Sequence, residues 1–369
     1  MFDRKKIQFS SLKNRKNKVN IEKDFIAPDE KPGILPEQTL NMISRIAEDI
    51  REARKIDASV ILAFGAHTIK NGMSPVLRAM INRGYISHLA TNGAGIIHDW
   101  EFAYQGESSE DVRSNVEKGQ FGIWEETGYY LNLAIAVGAY EGKGYGESVG
   151  AMVLNDGLMI PAAPDLRAEA LRHLDSNPAR AAAAADLLSL VSNFDIKPGF
   201  LEIRHRHKEF GLQGEAFRLG IPFTGHPMFG HDIIYTHPVN YGAAIGRTAE
   251  RDFLKYAGSV SELEGGVYLS VGSAVMSPMI FEKSLSMARN VRLQQGKNIT
   301  GHKIYVVDLA ESSWNWAEGE PPSTDPAYYL RFLKTFNRMG GTMNYISADN
   351  RDFLLTLYQE LENGSISRG

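Results

Sequence analysis

The sequence predicts an α/β fold, a doubly wound and mostly parallel sheet. Three observations carry that expectation. The apolar run Val60 to Phe64 breaks at Gly65, a helical pattern follows over residues 75 to 82, and a second apolar run over residues 85 to 91 breaks at Gly93-Ala94-Gly95. Strand, loop, helix, strand, loop is the order in which a parallel sheet is wound. The alternation then resumes, with strands expected over residues 221 to 224, 267 to 271, 303 to 309 and 341 to 347, separated by helical segments. Finally, three strand ends carry glycine: Gly65 to Gly72, Asn92-Gly93-Ala94-Gly95, and Gly272-Ser273-Ala274. Glycine there lets a ligand approach the backbone without a Cβ in the way, and the helix that follows presents its positive end to an anion.

Taken in order, residues 1 to 36 are polar and interrupted by Pro28, Pro32 and Pro36, and read as an arm. Residues 37 to 369 read as a single α/β nucleotide-binding-like domain with a helical insertion around 148 to 195. It opens on a helix over 37 to 58, whose apolar face is Leu40, Ile43, Ile46, Ile50 and Ala53. Ser108 to Asp111 suggests a helix start of capping-box type. A long helix is expected over 121 to 139, stopped by Gly142, Gly144, Gly146 and Gly150, which announce a flexible or close-packed connection. Ala-rich and Leu-rich helices then flank Pro161 and Pro164. Later helices are expected over 210 to 218, 279 to 289 and 351 to 361.

The totals exclude several classes of function. The chain has 369 residues, 43% hydrophobic and 23% charged, with a formal charge of −4. No apolar run approaches the ~18 residues of a membrane span. The basic start (Arg4, Lys5, Lys6, Lys13, Arg15, Lys16, Lys18, Lys23) lacks an aromatic stacking platform and reads as a solvated arm or one lying on a neighbouring subunit, not as a nucleic-acid contact. There is no cysteine, which removes disulfides, thiolate nucleophiles and sulfur-ligated metals. With no secretory pattern at the start, a soluble cytoplasmic protein is expected.

Chemistry-bearing residues gather at the strand ends. His67 and Lys70 belong to the first loop, His98 and Asp99 to the second. His226, His231, Asp232 and His237 form a histidine-rich loop after the strand at 221 to 224. Its spacings match no helical metal pair, so proton transfer, metal binding and structural hydrogen bonding all stay open. His205 and His207 alternate as on a strand face. Asp308 closes a strand, with Glu311 and then Trp314 and Trp316 just after it; a carboxylate at that edge suits a ribose hydroxyl or a cationic group.

At these loops the chain resembles the deoxyhypusine synthase family. That family's S-N-x-x-S-x-G, T-A-G-G-x-E-E-D, D-G-S-x-G-D and G-G-G segments fall in the same order as AHTIKNG (Ala66 to Gly72), NGAGIIHD (Asn92 to Asp99), HPMFGHD (His226 to Asp232) and VGSA (Val271 to Ala274). Asp308-Leu309-Ala310 looks like its final D-A-S-L. The resemblance spans roughly residues 40 to 360. It implies a Rossmann-like NAD-binding sheet, a homotetramer with sites at subunit interfaces, and butylamine transfer from spermidine. The departures are specific: Ile97 and His98 stand for the family's paired glutamates, His226-Pro227-Met228 for its D-G-S, and Ser277-Pro278 for its two histidines. No W-G-K lysine segment precedes the last strands, so the imine-forming step has no residue to carry it.

The expectation is therefore a divergent deoxyhypusine synthase-like enzyme that is not a genuine deoxyhypusine synthase. It would bind NAD or a related nucleotide through His67, Thr68, Asn71, Gly72, Asn92, Gly93, Ala94, Gly95, Gly272, Ser273 and Asp308. It would act on a small, less cationic substrate through His231, Asp232, His226, His98 and Lys70. Two alternatives are a metal-dependent hydrolase or lyase using the loop from His226 to His237, and a non-catalytic relic of the fold.

Overall fold

Val60–Phe64 is a strand (β1) with all five residues buried, as an apolar run covered on both faces of a sheet must be. In the computed structural model, which describes residues 2 to 366, it belongs to a six-stranded sheet. The other strands are His88–Asn92 (β2), Phe223–His226 (β3), Val267–Val271 (β4), Lys303–Asp308 (β5) and Thr342–Ser347 (β6). The order across the sheet is β6-β5-β4-β1-β2-β3. β1 pairs in parallel with β2 and with β4, β4 with β5, and β5 with β6. The chain winds outward through β1, β2 and β3, returns to the centre at β4 and winds outward the other way. This is the strand order of dinucleotide-binding sheets, and the Rossmann-like, doubly wound expectation holds. The direction of winding reverses between β1 and β4, and their carboxyl ends are Phe64 and Val271.

By its internal contacts the described chain falls into two compact units. One comprises residues 24–95, 219–224 and 253–366 and holds β1, β2, β4, β5 and β6; the other comprises residues 2–23, 96–218 and 225–252. In the sheet-bearing unit, Glu37–Lys55 buries Ile43, Ile46, Ile50 and Ala53, the face its periodicity predicts, while Leu40 in its first turn is exposed. The helix Met276–Gln294 buries Phe281, Leu285 and Ala288 in a core shared with Ile61, Tyr268, Ile304, Val306 and Phe336. It is longer at both ends than its apolar spacing suggested.

The other unit is mainly helical. Glu125–Glu141 buries Leu131, Leu133, Ile135 and Val137, residues that point to different sides, so the helix is enclosed rather than amphipathic. It starts four residues later than expected, because Phe121 and Gly122 lie in a turn in which Gly122 has φ +69°. It stops at Gly142, whose φ of +85° is the left-handed cap that glycine favours. Tyr145–Asn155, Ala163–His173 and Pro178–Asn193 follow.

Two small antiparallel sheets were not anticipated: Asn17–Asn20 with Glu107–Glu110, and Gly157–Ile160 with Gly199–Glu202. The expected helix start at Ser108 to Asp111 is corrected by the first of them. Ser108 is in a strand, and it is Asp111 that caps the short helix Val112–Glu117 by accepting the N–H of Ser114. His205 and His207 lie beyond the second sheet, which ends at Glu202, and share no strand face. The basic start is not wholly solvated: Leu12 is buried, and the Arg15 guanidinium donates to both carboxylate oxygens of Glu101 at 2.8 and 2.6 Å.

Candidate functional site

At the carboxyl ends of β1 and β4 the backbones close on each other. The Gly65 N–H donates to the Val271 carbonyl at 3.1 Å, and the Gly272 N–H donates to the Val307 carbonyl at 2.9 Å. A Cβ on Gly65 would sit 2.1 Å from the Gly272 carbonyl oxygen. Gly65→Ala is accordingly expected to cost about 1–3 kcal/mol or more of stability through overpacking; a denaturant midpoint equal to that of the unaltered protein would contradict this contact. Gly272 itself is exposed and holds φ +58°, a conformation that costs any other L-residue strain. Ser273 Oγ accepts the Ser277 N–H at 3.2 Å and so caps the first turn of Met276–Gln294. On the neighbouring strand, Asp308 is half-buried, and its Oδ1 accepts the Ala310 N–H at 3.3 Å. Val275, Met279 and Leu309, from the same two loops and the start of the helix, are exposed apolar side chains.

The loops after β1 and β2 are used differently. Ala66–Lys70 is a short helix rather than an open loop. His67 is on the surface, and its imidazole titrates below the usual value through partial burial and then the Lys70 charge. Thr68 is buried and accepts from Asn350 Nδ2 at 3.4 Å, while Asn71 donates to Asn350 Oδ1 at 2.9 Å. Gly72 holds φ +78°, and a Cβ there would lie 2.1 Å from the Asp24 carbonyl oxygen. Three of the expected cofactor ligands are thus engaged with the protein's own chain. After β2 there is no loop at all: the helix Gly93–Gln105 begins at once, and Asn92 Oδ1 accepts the Gly95 N–H at 2.9 Å. A Cβ on Gly95 would meet Thr91 Oγ1 at 2.2 Å, and that hydroxyl donates to the Phe64 carbonyl.

In the other unit, Asp232 is strongly perturbed by its surroundings. Its Oδ2 is buried without a hydrogen-bond partner, and burial pushes its carboxyl up to about 7. The hydroxyl of Tyr235 is likewise buried and unpartnered. Tyr145, fully buried, is driven well above the usual tyrosine value, first by burial and then by the charges of Asp232, Tyr235 and Asp252. Asp252 accepts the N–H groups of Gly146 and Gly225 at 2.8 and 2.7 Å. Asp232, Tyr145 and Tyr235 therefore form one electrostatically linked cluster, and sequence reasoning named only its carboxylate. The two tyrosines gave no signal beyond their position, Tyr145 within the glycine run and Tyr235 in the histidine-rich loop.

The histidines do not join into one centre. His226 is buried and pushed down to about 3 by that burial, and His231 is exposed. His237 accepts the Val239 N–H at 3.2 Å and lies 3.5 Å from Glu125. Among the described residues no three His, Asp or Glu side chains are placed to hold a metal ion. His98 Nδ1 is 2.7 Å from Ser108 Oγ. Asp99 accepts the N–H groups of Leu212 and Gln213 at 2.8 and 2.9 Å and so anchors the helix Leu212–Leu219. His205 accepts the Trp100 indole N–H at 3.0 Å. Trp316 is buried in the core and Trp314 packs against it.

No protein-family model matches this chain. No curated protein matches it either. Similar solved structures include unliganded AgrE, 15% identical with a TM-score of 0.45 over 89% of this chain and 34% of that one. They also include AgrE in a ternary complex with ornithine and NAD+, 15% identical with a TM-score of 0.45 over 90% and 34%. A third is a conserved putative LOR/SDH protein from Methanococcus maripaludis S2, 15% identical with a TM-score of 0.45 over 92% and 74%. None of the three is a deoxyhypusine synthase. The chain spans about a third of the length of the AgrE chains, and at these values the likeness assigns no residue and no activity to it.

Proposed function

We propose that this protein is an enzyme that binds NAD or a related dinucleotide at the carboxyl edge of its six-stranded sheet and acts on a small substrate. The observation that supports this reading most is the strand order, which reverses direction between β1 and β4, where open parallel sheets bind their ligands. The unit from β4 through the helix Met276–Gln294 to β5 then supplies the parts of a nucleotide half-site. Gly272 allows close backbone approach, and the start of a long helix faces an anion. Asp308, at the end of the adjacent strand, is placed as an acceptor for ribose hydroxyls, and Val275, Met279 and Leu309 offer apolar contact to a base. When bound, the nicotinamide ring supplies hydride chemistry.

Within the helical unit, Asp232 is our candidate for a general acid or base, since a carboxyl that titrates near neutrality beside buried tyrosine hydroxyls suits that work. His226, His231, His98 and Lys70 remain as substrate-contacting candidates. Descent from the deoxyhypusine synthase group and a homotetrameric assembly are finer parts of the same proposal, supported by the order of the four loops alone; a cytoplasmic location is a further part, supported by the absence of cysteine.

Thermal denaturation with and without NAD tests the reading. Millimolar NAD is expected to raise the melting temperature, and Asp308→Ala, which removes a half-buried acceptor, to reduce that rise. At 100 times Kd the ligand contributes about 2.7 kcal/mol. A melting temperature that millimolar NAD leaves unmoved would remove the nucleotide from the proposal.

A further inference from the structure

The helical unit carries a cavity of 490 Å³ that none of the chemistry above uses. Its polar lining is strongly basic: Lys13, Arg204, Arg206 and His207 against a single carboxylate, Glu202. None of Lys13, Arg204 and Arg206 makes an ion pair or a side-chain hydrogen bond among the described residues. Uncompensated cations on one concave surface repel one another, and a bound anion relieves that repulsion.

The local backbone explains why the arginines are held together. Residues 203 to 207 alternate, with Ile203 and His205 buried and Arg204 and Arg206 exposed. The segment is tied down by the Ile203 N–H to the Asp156 carbonyl at 2.8 Å, the His205 N–H to Asp156 Oδ1 at 2.9 Å, and the His207 N–H to the Ala103 carbonyl at 2.9 Å. The buried His205 is fixed in turn by the Trp100 indole. Between these anchors Arg204 and Arg206 both line the cavity.

The remaining wall is aromatic. Tyr104 and Tyr130 line the cavity with ring centroids 6.0 Å apart, and Tyr104 stacks on Trp100 at 4.9 Å. Burial, with Tyr130 and Glu126 beyond it, pushes the Tyr104 hydroxyl up to about 12, so it stays a donor at neutral pH. Glu126 is already engaged: its carboxylate accepts from the Ser11 hydroxyl and the Leu12 N–H.

We propose that this cleft binds a small phosphate monoester carrying a flat ring, its phosphate held by Lys13, Arg204 and Arg206 and its ring lying against Tyr104 and Tyr130. A dianion matches several cations better than a single carboxylate does, and guanidinium groups pair with phosphate oxygens two at a time. The cavity has the volume of a small-molecule site, on the order of 300–1,000 Å³. It is too small for a polynucleotide.

Calorimetric titration of the full chain with AMP, adenosine and inorganic phosphate tests the proposal. AMP is expected to bind, inorganic phosphate to compete with it, and adenosine to bind about tenfold more weakly or worse, the value of one charged hydrogen bond or more. Arg204→Ala/Arg206→Ala is expected to weaken AMP by a similar factor or more at an unchanged melting temperature, since both side chains are exposed, and Glu202→Gln to strengthen it. The proposal is overturned if millimolar AMP does not bind, if adenosine binds as well as AMP, or if AMP binding survives the double substitution. AMP binding that survives the double substitution and is lost in Asp308→Ala would belong to the strand-end site instead. Failure of NAD to bind leaves the cleft untouched, so the two proposals fail separately.

Discussion

Asp232→Asn is expected to remove a contribution to stability that the folded protein loses as pH rises from 3.8 to about 7. The folded carboxyl titrates near 7 because burial disfavours its charge, against 3.8 for the ordinary group. The folded state therefore holds a proton that the unfolded chain has released, and the contribution to stability is fully present below pH 3.8 and lost as pH rises through about 7. At 1.36 kcal/mol per unit this amounts to at most about 4 kcal/mol. The opposite sign applies to His226, pushed down to about 3, and to the buried His302, pushed down to about 4. Their contributions are present above 6.5 and lost as pH falls. The protein is thus pressed from both sides, and Asp232→Asn should remove only the alkaline side. Urea titrations at pH 5 and pH 8 measure it: an unaltered difference between the two pH values in the variant would show that Asp232 is not the group responsible.

Glu101→Ala is expected to cost about 3–5 kcal/mol, because it strands the Arg15 guanidinium, buried with 7% of its surface exposed, without its counter-charge. Glu101 itself is 1% exposed. Burial on its own would raise its carboxyl, but the adjacent Arg15 charge and hydrogen bonds hold it below the usual range. It also accepts from the hydroxyls of Ser108 at 2.5 Å and Thr127 at 3.1 Å, so four donors converge on one carboxylate. Arg15→Ala should be about as damaging, and the double variant much less than the sum, since each single change leaves one buried charge alone. Thermal melts of the four proteins provide the cycle. Additive single effects would mean that the pair is not coupled.

The sheet was legible because its strands are short apolar runs bounded by glycine. Val60–Phe64 and Val267–Val271 were placed at the observed bounds, since a strand covered on both faces has no polar position to blur its ends. The strands Asn17–Asn20 and Glu107–Glu110 were not legible, because NKVN and ESSE carry no hydrophobic alternation. Ser108 reads locally as a capping residue, yet its hydroxyl serves Glu101 across the fold.

At the candidate site the glycines were visible but their uses were not. Gly65, Gly72 and Gly95 lack a Cβ to make room for neighbouring protein atoms, whereas Gly272 faces solvent with φ +58°. A missing side chain looks the same in sequence whether a ligand or the chain itself fills the space. Similarly, the tyrosines beside Asp232 matter only because burial leaves hydroxyls without partners, which no local pattern encodes.

The pairing of β1 with β4 has a consequence for how the protein is made. Val60 lies beside Val267, so one edge of the most apolar strand has no partner until on the order of 200 further residues have left the ribosome. At about 5–20 residues per second that is roughly ten to forty seconds. During this interval an apolar edge with open hydrogen-bonding groups is available to any other nascent chain. Dependence on chaperones during synthesis, more than the final stability of the folded sheet, is where this topology places the protein's vulnerability.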